Sequence, residues 1–301
     1  MATKTVTVSK TSRRLVMRET VTSYLFMLPF LAFFVLFVVY PMIMCVYTSF
    51  FDATMNADSV FIGFDNYIEL FQDEKFLNAL WNTIIIVLVS VPVTCVFSLW
   101  VASAISKMPV AATSAFRCIF YLPVVTGSVA VTMVWKWMFN NYSGLINHIG
   151  TGLGLLDEGI NWLGDSRYAL GCIILIRLTT SVGQPIVLYV SALDNVDKSL
   201  VEAAEVDGAS HLQTFWKIKW PQIMPTTLYI VVITTINSFQ CFALIQLLTQ
   251  GGSNTMTIMY YIYYNAFKLY RYGYGNAMGV ILAIIIAILS AVQFKLGQEK
   301  D

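Results

Sequence analysis

Two apolar runs carry the side chains best suited to binding chemistry. Arg177, Gln184 and Tyr189 interrupt one run, and Thr234, Asn237, Ser238, Gln240, Cys241 and Gln246 interrupt the other. At helical spacing Asn237, Cys241 and Leu244 share one face, as do Thr234 and Ser238, with Phe239 and Phe242 as near neighbours. An amide donates and accepts hydrogen bonds at once, which matches a hydroxyl-rich ligand, and rings beside amides suit a sugar. The bland account is that these groups bond to neighbouring helices. Gly183 and Pro185 flank Gln184 and are expected to break the helix and open backbone groups to a cavity. An arginine at the middle of a membrane costs at least about 2.5–3.5 kcal/mol, so Arg177 needs a partner.

No catalytic constellation accompanies them. His148 and His211 are the only histidines and are expected to be surface residues. Cys45, Cys95, Cys118, Cys172 and Cys241 sit in or beside apolar runs without CxxC or zinc spacing, so they read as small buried hydrophobes and no metal site is expected. The chain has no GxxxxGK[ST] sequence, so no phosphate cradle for ATP is expected.

The elements that must position these groups are membrane helices. Of 301 residues, 57% are hydrophobic and 12% charged; soluble domains average roughly 45–50% and about 25%. The net charge of +1 gives no nucleic-acid footprint. About 20 apolar residues cross a bilayer, and six stretches qualify, near 23–47, 80–105, 114–139, 167–191, 223–248 and 275–296. The sequence therefore predicts an all-α membrane protein with six transmembrane helices. Residues 1–20 read as a basic tail, 21–297 as one six-helix membrane domain with 192–222 as a connecting loop, and 298–301 as a second tail. Twelve of the eighteen Lys and Arg lie in the two tails and the connections after the second and fourth spans or, as Arg117 and Lys295 do, within the first or last few residues of the adjoining spans. The positive-inside rule places these on the cytoplasmic side, with the first span an uncleaved anchor.

The 192–222 loop is the odd feature. In Glu202-Ala203-Ala204…Gly208 the first residues favour helix, and Gly208 ends it. Ala209, Leu212, Phe215 and Trp216 then fall on one face of a second helix, and Pro221 is expected to punctuate entry into the fifth span. A cytoplasmic helix–turn–helix with an apolar face rimmed by Glu202, Glu205 and Asp207 reads as a docking surface.

This stretch resembles the EAA loop of ABC importer permeases: Glu-Ala-Ala, three residues, Gly, nine residues, Ile, one residue, then a residue pair ending in Pro. The family usually ends in Leu-Pro, where this chain has Trp220-Pro221. Further segments resemble the carbohydrate-uptake branch, which includes maltose and glycerol-phosphate permeases. They include 61–67 (FIGFDNY), 121–124 (YLPV), 135–139 (WKWMF), 161–165 (NWLGD) and 248–252 (LTQGG). The resemblance implies a bacterial or archaeal inner-membrane permease that moves a sugar by alternating access. Glu202 and Gly208 would be docking positions, with Ala209 to Phe215 as the coupling helix. It implies a second, related but different permease, two ATPase subunits that bind ATP and Mg, and an extracytoplasmic solute-binding protein. The substrate pocket would lie on the fifth span and near the fourth. Arg177 is expected to pair with a carboxylate or carbonyl of the second permease; the other account is an anionic group on the substrate. A charged sugar derivative such as a glycerol phosphate is the alternative cargo. A secondary transporter is a further one, set back because no Asp or Glu lies within the six apolar cores.

Overall fold

The computed structural model describes residues 10–55 and 58–298. Residues 1–9 of the expected first tail and 299–301 of the second lie outside the described residues. Four helices are long and apolar enough to cross a bilayer alone: Thr20–Thr48, Glu74–Ile105, His211–Leu248 and Tyr272–Gly297. Two helix pairs qualify only together, Val110–Val125 with Ser128–Met138 and Ala169–Ser181 with Gly183–Asp194. Counting each pair as one span gives the six expected. In chain order they are called here the first to the sixth span. The helix Lys10–Phe34 starts inside the segment expected to be a tail.

The third span corrects the expectation of one helix over 114–139. It turns by 92° between its halves. Pro123 removes a helical donor, and Thr126 and Gly127 are extended, with ψ 125° and 134°. The second half, Ser128–Met138, has 11 residues. At about 1.5 Å per residue it is too short to cross the hydrocarbon. The fourth span bends by 43° at Val182, beside the Gly183 and Pro185 that foretold a break.

Pro221 does not separate the loop from the fifth span. A single wide π turn, Phe215–Lys219, precedes it, and the Trp220 N–H bonds back to the Phe215 carbonyl. The same arrangement stands before Pro41, where Val35–Val39 form a π turn and the Tyr40 N–H reaches Val35. Widening the turn accommodates the missing proline donor and its ring without ending the helix. Helix therefore runs from His211 to Phe239 and stops at Gln240–Phe242 before resuming at Ala243–Leu248.

The second span is the central post, packed against the fourth and fifth. Val101, Ala102, Ile105, Ile186, Tyr189, Ile223 and Ile230 form this core. The most apolar stretch of the first span, by contrast, has no buried residue within the chain.

At the end of the bundle opposite Gly208, two short strands, Phe51–Asp52 and Val60–Phe61, pair antiparallel. They are a small addition to the all-α expectation. This end is tied to the start of the sixth span. Arg271 forms a 2.7 Å ion pair with Glu69, and the Tyr272 N–H donates to Ala53 O at 2.8 Å. Tyr261 and Tyr274 both donate to Asp73 Oδ2, at 2.6 and 2.8 Å.

Candidate functional site

The three helix interruptions meet at one place. A cavity of about 350 Å³ is lined by Thr126 and Ser128 from the break in the third span, Ser181, Gln184 and Pro185 from the bend in the fourth, and Gln240, Cys241 and Phe242 from the break in the fifth. That volume is at the lower end of the usual range for small-molecule sites. A helix break frees backbone carbonyls, and such groups are tolerated at membrane depth only where protein or a cavity satisfies them. A side chain answers one of them: Thr257 Oγ1 donates to Cys241 O at 2.8 Å. At the other two breaks a hydroxyl adds a second bond to a carbonyl that already accepts a backbone N–H, Ser98 Oγ to Val182 O at 3.4 Å and Thr126 Oγ1 to Leu122 O at 2.8 Å. Lys136 donates to Leu247 O at 2.9 Å, holding the short half of the third span against the resumed end of the fifth.

Gly183 lets the walls close. A Cβ there would strike the Phe120 backbone carbonyl. The absence of a side chain is what allows the fourth span to lie against the third at its bend.

Of the residues singled out in the sequence, Arg177, Gln184, Thr234, Asn237, Gln240 and Cys241 line the cavity. Tyr189 does not: it is fully buried in the core between the second, fourth and fifth spans. Ser238 lies behind the wall, fully buried, and donates to Thr234 O at 2.6 Å. Its Oγ accepts from Arg177 Nη2 at 3.0 Å. The side-chain amides of Gln184, Asn237 and Gln240 are exposed and take part in none of the chain's own hydrogen bonds among the described residues. Three unspent amides therefore face one space, next to Phe242, whose ring lies 4.9 Å from Tyr263. Each amide offers two donors and an acceptor.

The sequence reading missed Thr126, Ser128, Thr132 and Tyr229, which also line the cavity. A signal for the first two existed: Thr126-Gly127-Ser128, just after Pro123, is a breaker pattern inside an apolar run. Nothing local marked Tyr229. His148 and His211 are exposed, and no group of metal-ligating side chains occurs among the described residues.

At the Gly208 end, the helix–turn–helix is present. Asp197 caps Lys198–Val206, its carboxylate accepting from the Ser199 N–H at 2.9 Å. Gly208 has φ +78°, and the Ala209 N–H returns to Ala204 O at 2.9 Å. Space around Gly208 is open, so the backbone angle alone demands glycine. Ser210 and Gln213 form a reciprocal capping box. The second helix thus begins at His211, two residues later than the expected Ala209. Glu202 and Ala203 are exposed, Ala204 and Ala209 half-buried. Leu212 is 72% and Trp216 58% exposed, whereas Phe215 is half-buried against Trp216 and Trp220.

Comparison with known proteins agrees with the resemblance drawn from the EAA stretch. The family model of the binding-protein-dependent transport system inner membrane component matches residues 6–298. The chain is 31% identical over 288 residues to the probable ABC transporter permease YesP of Bacillus subtilis, covering 94% of this chain and 92% of that one. It is 32% identical over 270 residues to the multiple sugar-binding transport system permease MsmF of Streptococcus mutans, covering 88% and 91%. In fold it is similar to a chain of a bacterial ABC transporter involved in import of the acidic polysaccharide alginate. There the TM-score is 0.82 at 24% identity, over 94% of this chain and 96% of that one. With helix breaks around a polar cavity and a family match over nearly its whole length, the chain belongs to the binding-protein-dependent transport system inner membrane component family, a multi-pass membrane permease.

Proposed function

We propose that this chain is one permease subunit of an ATP-driven importer that carries a sugar or oligosaccharide into the cytoplasm. The observation that carries the reading is a physical link. The exposed loop helix and one wall of the cavity are the same helix, His211 to Phe239, unbroken at Pro221. Between Leu212 and Phe239 it spans about 40 Å. A push on Leu212 or Trp216 is therefore delivered to Thr234, Asn237 and the Gln240 break. The cavity offers unspent amides and an aromatic ring, the groups that hold hydroxylated ligands. Relatives named as permeases for multiple sugars, lactose and diacetylchitobiose support a carbohydrate cargo.

In this reading the termini and the Gly208 loop face the cytoplasm, as the distribution of Lys and Arg favours. Glu202, Ala203, Ala204, Gly208, Ala209, Leu212, Phe215 and Trp216 meet an ATPase subunit. Two such subunits bind ATP and Mg; the lack of a GxxxxGK[ST] sequence in this chain supports that reading. A second, different permease completes the pathway, and a solute-binding protein delivers the sugar at the Asp73 end. A solved alginate transporter complexed with a pentasaccharide-bound periplasmic protein, with TM-score 0.81 to this chain, supports that assembly. ATP binding closes the ATPase pair and draws the Gly208 loops together. The rigid fifth span then tilts and the cavity opens outward, and hydrolysis resets it. This is alternating access with the helix as the two-state element.

The test is to tag the chain in its native membrane and identify what copurifies after crosslinking at Leu212 or Trp216. An ATPase and a second six-span permease are expected. If crosslinking yields no ATPase while the chain remains transport-competent, the docking assignment falls.

A further inference from the structure

The cavity holds one charge that no carboxylate among the described residues pairs with. Arg177 lines it; among the described residues its Nη2 donates to the uncharged Ser238 hydroxyl, and the Cys241 thiol stands within reach of the guanidinium. The Nε is buried without a partner. Three ion pairs exist among the described residues, and none involves Arg177. No aspartate or glutamate lines the cavity; beside Arg177 and the amides already described, its polar lining is made of hydroxyls and the Cys241 thiol. A guanidinium in a low-dielectric site is held at a large penalty unless an anion comes to it. Its planar fork of donors fits a carboxylate, sulfonate or phosphate in a bidentate pair.

We infer that the cavity is built for a sugar bearing an anionic group, with Arg177 binding that group and Gln184, Asn237 and Gln240 binding the hydroxyls around it. This deepens the carbohydrate-permease reading and rests on it. The arrangement divides the work by chemistry. Ser238 fixes one guanidinium nitrogen from behind the wall and Nε is buried, which leaves Nη1 and the second hydrogen of Nη2 for the cargo. One amide shares the fourth span with Arg177 and two lie on the fifth, all lining the same cavity. A ligand with hydroxyls flanking its charge then satisfies all four side chains at once. The expected alternative, a carboxylate of the second permease, makes a different prediction: Arg177 would then be needed for assembly.

The experiment uses the intact complex in nanodiscs. Binding to it is measured for a uronic-acid disaccharide, the neutral disaccharide of the same size, and inorganic sulfate or phosphate alone. Arg177→Gln and the charge-preserving Arg177→Lys are compared with the unaltered chain, and retention of the second permease is scored for each. The expected result is that the acidic disaccharide binds about tenfold or more tighter than the neutral one, with the free anion weaker than either. Arg177→Gln should abolish the difference with the complex intact, and Arg177→Lys should keep part of it. Equal binding of acidic and neutral disaccharides would overturn the anion assignment and leave the sugar permease standing. Loss of the second permease in Arg177→Gln, with recovery in Arg177→Lys, would overturn it in favour of an interface pair. Tightest binding of the free anion alone would also overturn it, as a simple anion site. Failure of any saccharide to bind would instead reject the carbohydrate reading itself.

Discussion

Arg177 on the fourth span donates to Ser238 on the fifth across 3.0 Å, and Ser238 Oγ donates in turn to Thr234 O at 2.6 Å. The hydroxyl is thus committed in both directions, and the guanidinium is oriented by a group fully buried behind the cavity wall. Removing that hydroxyl leaves the charge in the cavity but frees its geometry. Ser238→Ala should raise the substrate concentration for half-maximal uptake by roughly threefold to tenfold, the worth of one ordinary hydrogen bond. Basal ATP hydrolysis should not move. Uptake assays across a substrate series decide it, and an unchanged half-saturation would mean that Ser238 does not position Arg177.

The unspent amides should matter for transport more than for folding. Asn237→Leu and Gln240→Leu each remove groups with no bond to the chain itself, so the protein should assemble with near-normal yield. Uptake should fall by about tenfold or more for each, since a bound hydroxyl would lose its partner in a desolvated site. Parallel measurement of complex yield and uptake separates the two effects; loss of yield in step with uptake would make the amides packing groups.

Gly208 supplies a φ of +78° that proline cannot adopt. Gly208→Pro should misplace the turn and uncouple ATP hydrolysis from transport, with the six spans intact. Glu202→Lys should weaken ATPase docking by reversing an exposed charge. Binding-protein-stimulated ATPase activity and uptake, measured together in vesicles, provide the check. Normal coupling in both variants would remove the loop from the transmission.

The Asp73 junction predicts a pH dependence. Burial raises the Asp73 pKa, but hydrogen bonds from Tyr261 and Tyr274 and from the backbone N–H groups of Lys75 and Phe76 outweigh it and hold the carboxyl below its ordinary value of 3.8. A depressed carboxylate contributes stability above its unfolded pKa and loses it as pH falls through the folded value. Asp73→Ala also removes the helix cap and strands two buried hydroxyls, a cost of roughly 2–4 kcal/mol near neutral pH. The gap in melting temperature between the two proteins should be constant from pH 8 to about 5 and narrow below about pH 4. A gap that widens on acidification would contradict the sign.

Gly183→Val would drive a side chain into the Phe120 carbonyl. Because backbone, not a flexible side-chain tip, stands in the way, the third and fourth spans must separate. A loss of about 1–3 kcal/mol or a non-assembling complex is expected. Thermal unfolding in detergent tests it, and wild-type stability would show that the bend can shift without cost.

Much of this protein is set by local sequence. Apolar runs long enough to cross a bilayer fix the spans, since a membrane leaves the backbone no other partners than its own helix. The Glu202–Gly208 spacing and the Ser210–Gln213 cap set the loop by short-range hydrogen bonds and one backbone angle. Gly183 and Pro185 announced a bend for the same local reason. The tertiary structure decided what local signals leave open. Pro221 looked like a terminator, yet a π turn carried the helix through it, because the same helix must serve both the loop and the cavity wall. Tyr189 and Asn237 looked alike as polar groups in apolar runs; packing sent one into the core and left the other facing the cavity. Arg177 acquired a partner 61 residues away, and three separate breaks came together around it. Which face of a helix meets a neighbour depends on how the spans pack, and no window of sequence contains that information.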